Sequence, residues 1–238
     1  MGPSAIRYAG LEERLTALGV DCVDRGNVAT PVAEATAEHD PRARFLPAIR
    51  ATCERIAELV GAALDDGRIP IVLGGDHSVA LGTLGGLASR RGPGAVLWFD
   101  AHGDLNTPET SPSGNEWGMP LRMAIDEGSV RTDDVALVGA RDLDQPEVEY
   151  IAVHGIDDDL DRALDGVDAV YVALDVDVFD PAEVSCFMPA ADGLTVAEVE
   201  AALRSIASRV PVAGLGLTGL APDADPATLA ELAGAAGL

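Results

Sequence analysis

The sequence predicts an α/β fold: one domain over residues 1–238, with a parallel sheet flanked by helices on both faces. Two observations predict it. Several short runs are apolar on both faces, as strands buried on both sides require. These runs interleave with longer segments of helical period, the pattern of parallel strands joined by crossover helices.

Residues 3–18 read as a helix, apolar at Ile6, Leu11, Leu15 and Leu18, and 41–64 as a longer one opened by Pro41. Ile69-Pro70-Ile71-Val72-Leu73 is the first strand and 78–90 the helix after it. Ala95-Val96-Leu97-Trp98-Phe99 is the second strand. The stretch from Leu105 to Glu116 is a loop, broken by Pro108, Pro112 and Gly114. A helix over 118–126 leads to a strand at Val135-Ala136-Leu137-Val138. Asp157-Asp158-Asp159 opens a short helix, because Asp favours N-caps. Val170-Tyr171-Val172-Ala173-Leu174 and Val212-Ala213-Gly214-Leu215 are further strands, each paired in sequence with a helix, at 195–208 and 226–236.

Composition limits the function. Asp plus Glu total 40 against 16 basic residues, a net charge of −24, which disfavours nucleic acid and anionic membrane surfaces as partners. It permits small cationic substrates and metal ions. Every basic residue is Arg, so Schiff-base chemistry and a phosphate loop needing its Lys are excluded. Cys22, Cys53 and Cys186 have no motif spacing, which suits a reducing cytoplasm better than a disulfide framework. No secretory leader is read at the start, and no stretch is apolar enough for a membrane span.

The chemistry gathers where strands end. After 69–73 comes Gly74-Gly75-Asp76-His77-Ser78; after 95–99 comes Asp100-Ala101-His102-Gly103-Asp104; after 170–174 comes Asp175-Val176-Asp177. Ligand sites of open α/β sheets form at these carboxyl ends. One Asp after a strand is an ordinary cap, but carboxylates this crowded repel unless cations or protons intervene. Imidazole and carboxylate donors suit Mn²⁺, Fe²⁺, Ni²⁺ or Zn²⁺. The carboxylates are too many for one ion, so two ions sharing a water are expected.

The sequence resembles the arginase–agmatinase family of ureohydrolases through GPSAIRYAGL at 2–11, LGGDHSVALG at 73–82, WFDAHGDLNTPETSPSGNEWGMPL at 98–121, GARDLD at 139–144 and ALDVDVFDP at 173–181. The resemblance implies a three-layer α/β/α domain with two Mn²⁺ per chain, assembled as a trimer or hexamer. His77, Asp100, Asp104 and Asp175 would hold one ion, and His102, Asp100, Asp175 and Asp177 the other, with Asp100 and Asp175 bridging. A hydroxide shared by the ions would attack a guanidinium or amidine carbon, and Asp104 would carry the proton to the leaving amine. Asn106, Ser111, Ser113 and Asn115 match positions that contact a substrate α-carboxylate, and Asp144 one near the α-amino group. Ser and Asn hydrogen-bond within loops equally readily.

Three departures stand out. Trp117 replaces the family His and cannot titrate, but can offer an aromatic wall to a flat cation. Gly219 stands where the family has a Glu that pairs with guanidinium; Asp223 and Asp225 are the candidates to stand in, and Gly219→Glu is expected to improve guanidinium binding. The family opens with a strand before the segment matching Gly2–Arg7, so the first strand is expected to be lacking or to lie upstream. The expected activity is manganese-dependent hydrolysis of a C–N bond in a linear guanidino or amidine compound. The alternatives are a metal-binding pseudo-enzyme or regulatory subunit, and a metal-dependent amide hydrolase acting on acylated amines.

Overall fold

The computed structural model describes residues 2–221, 224, 225 and 227–238. A small hairpin, β1 (His39–Asp40) with β2 (Ala43–Arg44), precedes the sheet. The sheet holds β3 (Ile71–Leu73), β4 (Ala95–Phe99), β5 (Val135–Val138), β6 (Val170–Asp175) and β7 (Val212–Thr218). They lie in the order β3-β7-β6-β4-β5, and every pairing is parallel. This order sets the carboxyl ends of β3, β7, β6 and β4 side by side, although they are far apart in sequence.

Alternation along each strand divides the interior in two. Leu97, Phe99, Val172 and Leu174 face one core, with Ile6 and Leu15 from helices α1 (Gly2–Tyr8) and α2 (Leu11–Ala17). Leu203 of α8 (Val196–Arg209) and Leu229 of α9 (Ala227–Ala235) complete it. Val96, Trp98, Tyr171 and Ala173 face the other core, against Ile56 and Val60 of α3 (Leu46–Asp65), Leu84 of α4 (Val79–Ala88) and Leu121 of α5 (Pro120–Asp126). The expected parallel sheet with helices on both faces is thus present.

Local departures have local causes. The helix expected over 3–18 breaks at Gly10, whose φ of 85° is left-handed. The start of the one expected over 41–64 is taken by the β1–β2 turn, where Asp40 accepts the Arg42 N–H at 2.9 Å. Strand β3 starts late, because Pro70 has no N–H to give the ladder. Strand β7 runs on to Thr218 through Gly216, a residue that strand propensity disfavours. A Cβ there would collide with the Tyr171 hydroxyl, so packing demands glycine. Helix α6 (Gln145–His154) is an addition to the elements expected from the sequence; its buried positions include Glu147, and Val148 and Val153 are exposed. Asp159 caps α7 (Leu160–Ala163), as expected, accepting from the Asp161 and Arg162 N–H groups. No helix among the described residues is long and apolar enough to cross a membrane.

Candidate metal centre

Three strand ends deliver the six candidate ligands to one place. The turn after β3 carries His77 and is stitched to β7 by Gly74 N–H to the Leu217 carbonyl and Gly219 N–H to the Gly75 carbonyl, both at 2.8 Å. Asp100 follows β4 directly, with His102 and Asp104 on the loop beyond. Asp104 has a φ of 53°, unusual for a non-glycine residue and a sign of a constrained loop. Asp175 ends β6, and Asp177 sits in the single 3₁₀ turn Val176–Val178.

Asp100 occupies the middle. Its Oδ2 lies 2.6 Å from His77 Nδ1, and its Oδ1 lies 3.1 Å from His102 Nδ1. His77 Nδ1 is also 3.2 Å from Asp104 Oδ2 and 3.9 Å from Asp175 Oδ2. His102 Nδ1 is 3.1 Å from Asp177 Oδ2. Two ligand clusters result, His77 with Asp100 and Asp175, and Asp100 with His102 and Asp177. Asp100 belongs to both. Asp175 groups with His77, and Asp104 adjoins that cluster through the same imidazole.

The electrostatics fit cations. Burial, with the Asp177 and Asp100 charges, pushes the Asp175 carboxyl up to about 7. Burial and the Asp100 charge raise Asp104 well above the carboxylate range. Burial opposes charge on His102, but bonds to Asp100 and Asp177 outweigh it and push the imidazole up to about 11. Buried carboxylates this crowded favour a bound cation, and nitrogen and oxygen donors of this kind suit borderline divalent cations.

Several residues that sequence reasoning passed over hold this centre in shape. Thr218 Oγ1 donates to Asp175 Oδ2 at 2.8 Å, and the Ala101 N–H donates to Asp177 Oδ1 at 2.9 Å. Arg141 donates to the carbonyls of Gly139, Asp177, Val178, Phe179, Ala190 and Ala191 at 2.7–3.3 Å. It therefore fastens the Asp177 turn to two other segments. Buried Glu147 accepts from Leu105 N–H and Asp144 N–H, each at 2.9 Å, joining the β4 loop to the head of α6. Asp144-Gln145-Pro146-Glu147 is a capping-box spacing, and that signal was available in the sequence. Glu116 is also buried, and neither carboxylate oxygen has a hydrogen-bond partner among the described residues.

The expected substrate contacts are less uniform. Asn106 Nδ2 donates to Asp144 Oδ2 at 2.9 Å, which brings that pair together at the loop after β4. Ser111 and Ser113 accept N–H groups of Gly114 and Asn115 within their own loop, and Asn115 Oδ1 accepts from Arg44. Trp117 is half-buried and meets Phe187 edge to face. The expectation for Gly219→Glu is overturned. Gly219 has a φ of 78°, and a Cβ on it would strike the Asp175 carboxylate, so a longer side chain would disrupt a ligand before it met any guanidinium. Asp225 is exposed, and its carboxylate is already engaged by the Ala227 N–H at the start of α9. Asp223 lies outside the described residues.

Known proteins share both the sequence pattern and the fold. The arginase family model matches residues 1–237. An arginase of Bacillus caldovelox is 38% identical, over 87% of this chain and 80% of its own. An arginase of Bacillus subtilis is also 38% identical, over 76% of this chain and 70% of its own. The solved Bacillus caldovelox arginase superposes with a TM-score of 0.93 at 34% identity, covering 99% of this chain and 91% of the other. The fold, the candidate ligands at the strand ends and these likenesses agree: the chain belongs to the arginase family of hydrolases.

Proposed function

We propose that the protein is a manganese-dependent hydrolase that cleaves a C–N bond in a linear guanidino or amidine compound. The observation that carries this reading is Asp100, one carboxylate shared between two ligand clusters. A pair of divalent cations held there would supply water acidic enough to act as a nucleophile near neutral pH. His77, Asp100, Asp104 and Asp175 would hold one, and Asp100, His102, Asp175 and Asp177 the other.

The chain's own residues do the rest. Asp104, beside His77 and raised by burial, can take a proton and return it to the leaving amine. The bonded pair of Asn106 and Asp144 would read the polar end of a substrate. Because the relatives are named arginases, arginine heads the candidates, followed by agmatine, guanidinobutyrate and formiminoglutamate. The same reading makes the protein a cytoplasmic homo-oligomer, a trimer or hexamer, with a small cationic substrate and no nucleic-acid or membrane partner.

The test is metal content by mass spectrometry after loading with Mn²⁺, run beside release of urea, ammonia or amine from that panel. Two ions per chain with turnover of one compound is the expected result. One ion or none would refute the paired-metal reading, and two ions without any turnover would refute the substrate class.

A further inference from the structure

The segment paired with the end of β7 is apolar and aromatic at Phe187 and Met188. Gly219 closes β7 against the Asp175 carboxylate and admits no side chain, so nothing polar projects from that position. Its carbonyl accepts the Phe187 N–H at 3.2 Å, and Cys186 bridges to Leu220. These contacts hold the 186–188 segment at the strand end. Cys186 is half-buried. Next to it Phe187 is 65% exposed and Met188 45% exposed. A large ring left this open on a segment fixed by backbone bonds is unusual for a group whose burial would be favourable.

Among the described residues, Phe187 meets one other aromatic ring. Its ring meets Trp117 with centroids 6.1 Å apart and planes at 87°. The Trp117 turn is itself tied to the loop of ligands, since the Asn106 N–H donates to the Gly118 carbonyl at 3.1 Å. Two rings thus touch across the gap between the β4 loop and the β6–β7 end, each carried by a segment bonded to a neighbour of a candidate ligand. Ring faces carry negative electrostatic potential and attract planar cations, guanidinium above all.

Resting on the hydrolase reading, we propose that Trp117 and Phe187 form the wall that grips the planar nitrogen-rich end of the substrate, and that Phe187 is a specificity-determining residue. Recognition there is by ring contact rather than by a charge pair. The ligand class is a guanidinium or amidinium cation whose flat face can lie against a ring. Aliphatic ammonium compounds of equal charge and length lack that face and are discriminated against.

The experiment compares the Mn²⁺-loaded full chain with Phe187→Leu and Phe187→Tyr. It measures kcat and KM for whichever panel compound the parent hydrolyses, and calorimetric binding of arginine, agmatine and the aliphatic diamine putrescine. Phe187→Leu should weaken arginine or agmatine binding and raise KM about 3- to 10-fold, with a smaller effect on kcat and none on putrescine. Phe187→Tyr, which keeps a ring, should behave as the parent. If the parent hydrolyses a compound and Phe187→Leu keeps its KM, the wall is refuted while the hydrolase stands. If the parent hydrolyses nothing, the hydrolase reading falls, and calorimetry on the two variants still decides the wall, with no guanidinium binding at all counting against it. A Phe187→Leu chain that changes only its assembly state in sedimentation would make the ring a contact between copies and overturn the proposal.

Discussion

Replacing Glu116 with Met should stabilise the protein, and more so as the pH rises. Glu116 is 2% exposed, and both carboxylate oxygens lack partners among the described residues. Burial pushes its carboxyl from the ordinary 4.5 up to about 7, against a small opposing pull from Arg50. The unfolded chain releases this proton first, so between those two values the native state binds more protons. Stability therefore falls as the pH rises through the window. At 1.36 kcal/mol per pH unit, ionising Glu116 in the folded protein costs about 3 kcal/mol by pH 8, of which less than about 1 kcal/mol is felt at pH 5. Met fills a similar volume without a charge. Urea unfolding of metal-free parent and variant at pH 5 and pH 8, followed by circular dichroism, reads the difference. Subtracting one from the other cancels the titration of all shared groups. The gain should be larger at pH 8 by about 2 to 3 kcal/mol. An equal gain at both values, or a less stable variant at pH 8, would refute the reasoning.

Other perturbations follow from the same geometry. Asp100→Ala should empty both metal positions together, because its carboxylate joins the two clusters; one ion retained per chain in mass spectrometry would show that the clusters are independent. Gly219→Ala should destabilise the fold by more than about 1 kcal/mol from its left-handed backbone and lower metal affinity by displacing Asp175, read by Tm with and without Mn²⁺. Arg141→Lys has three donors where five were used, and should weaken metal binding about 10- to 100-fold as the Asp177 turn loosens; an unchanged titration with Mn²⁺ would make Arg141 dispensable to the centre.

The sheet was legible because its strands are buried on both faces. Runs such as Ala95–Phe99 and Val170–Leu174 leave no other way to hide so many apolar side chains. The candidate ligands were legible for a related reason: carboxylates and imidazoles directly after three such runs have to converge once the runs become parallel neighbours. What stayed hidden depends on contacts between distant residues. Gly216 looks like a strand breaker until Tyr171 is seen filling its place. Helix α6 has little apolar periodicity, since the buried side chain that anchors it is Glu147. The tightness of Gly219 against Asp175 exists only across two strands, so an acid there looked acceptable from sequence alone.

The stacking of Trp98 on His77 gives the protein an optical gauge of its own. The two rings lie 4.0 Å apart with planes at 22°, and Trp98 is fully buried. The chain has two tryptophans, and the other, Trp117, is half-buried at the rim. A paramagnetic ion settling on His77 would quench the Trp98 emission through the stacked rings, whereas diamagnetic zinc would leave more of it. Emission in Trp117→Phe would then follow the arrival of manganese at a single position, in real time and without an added dye.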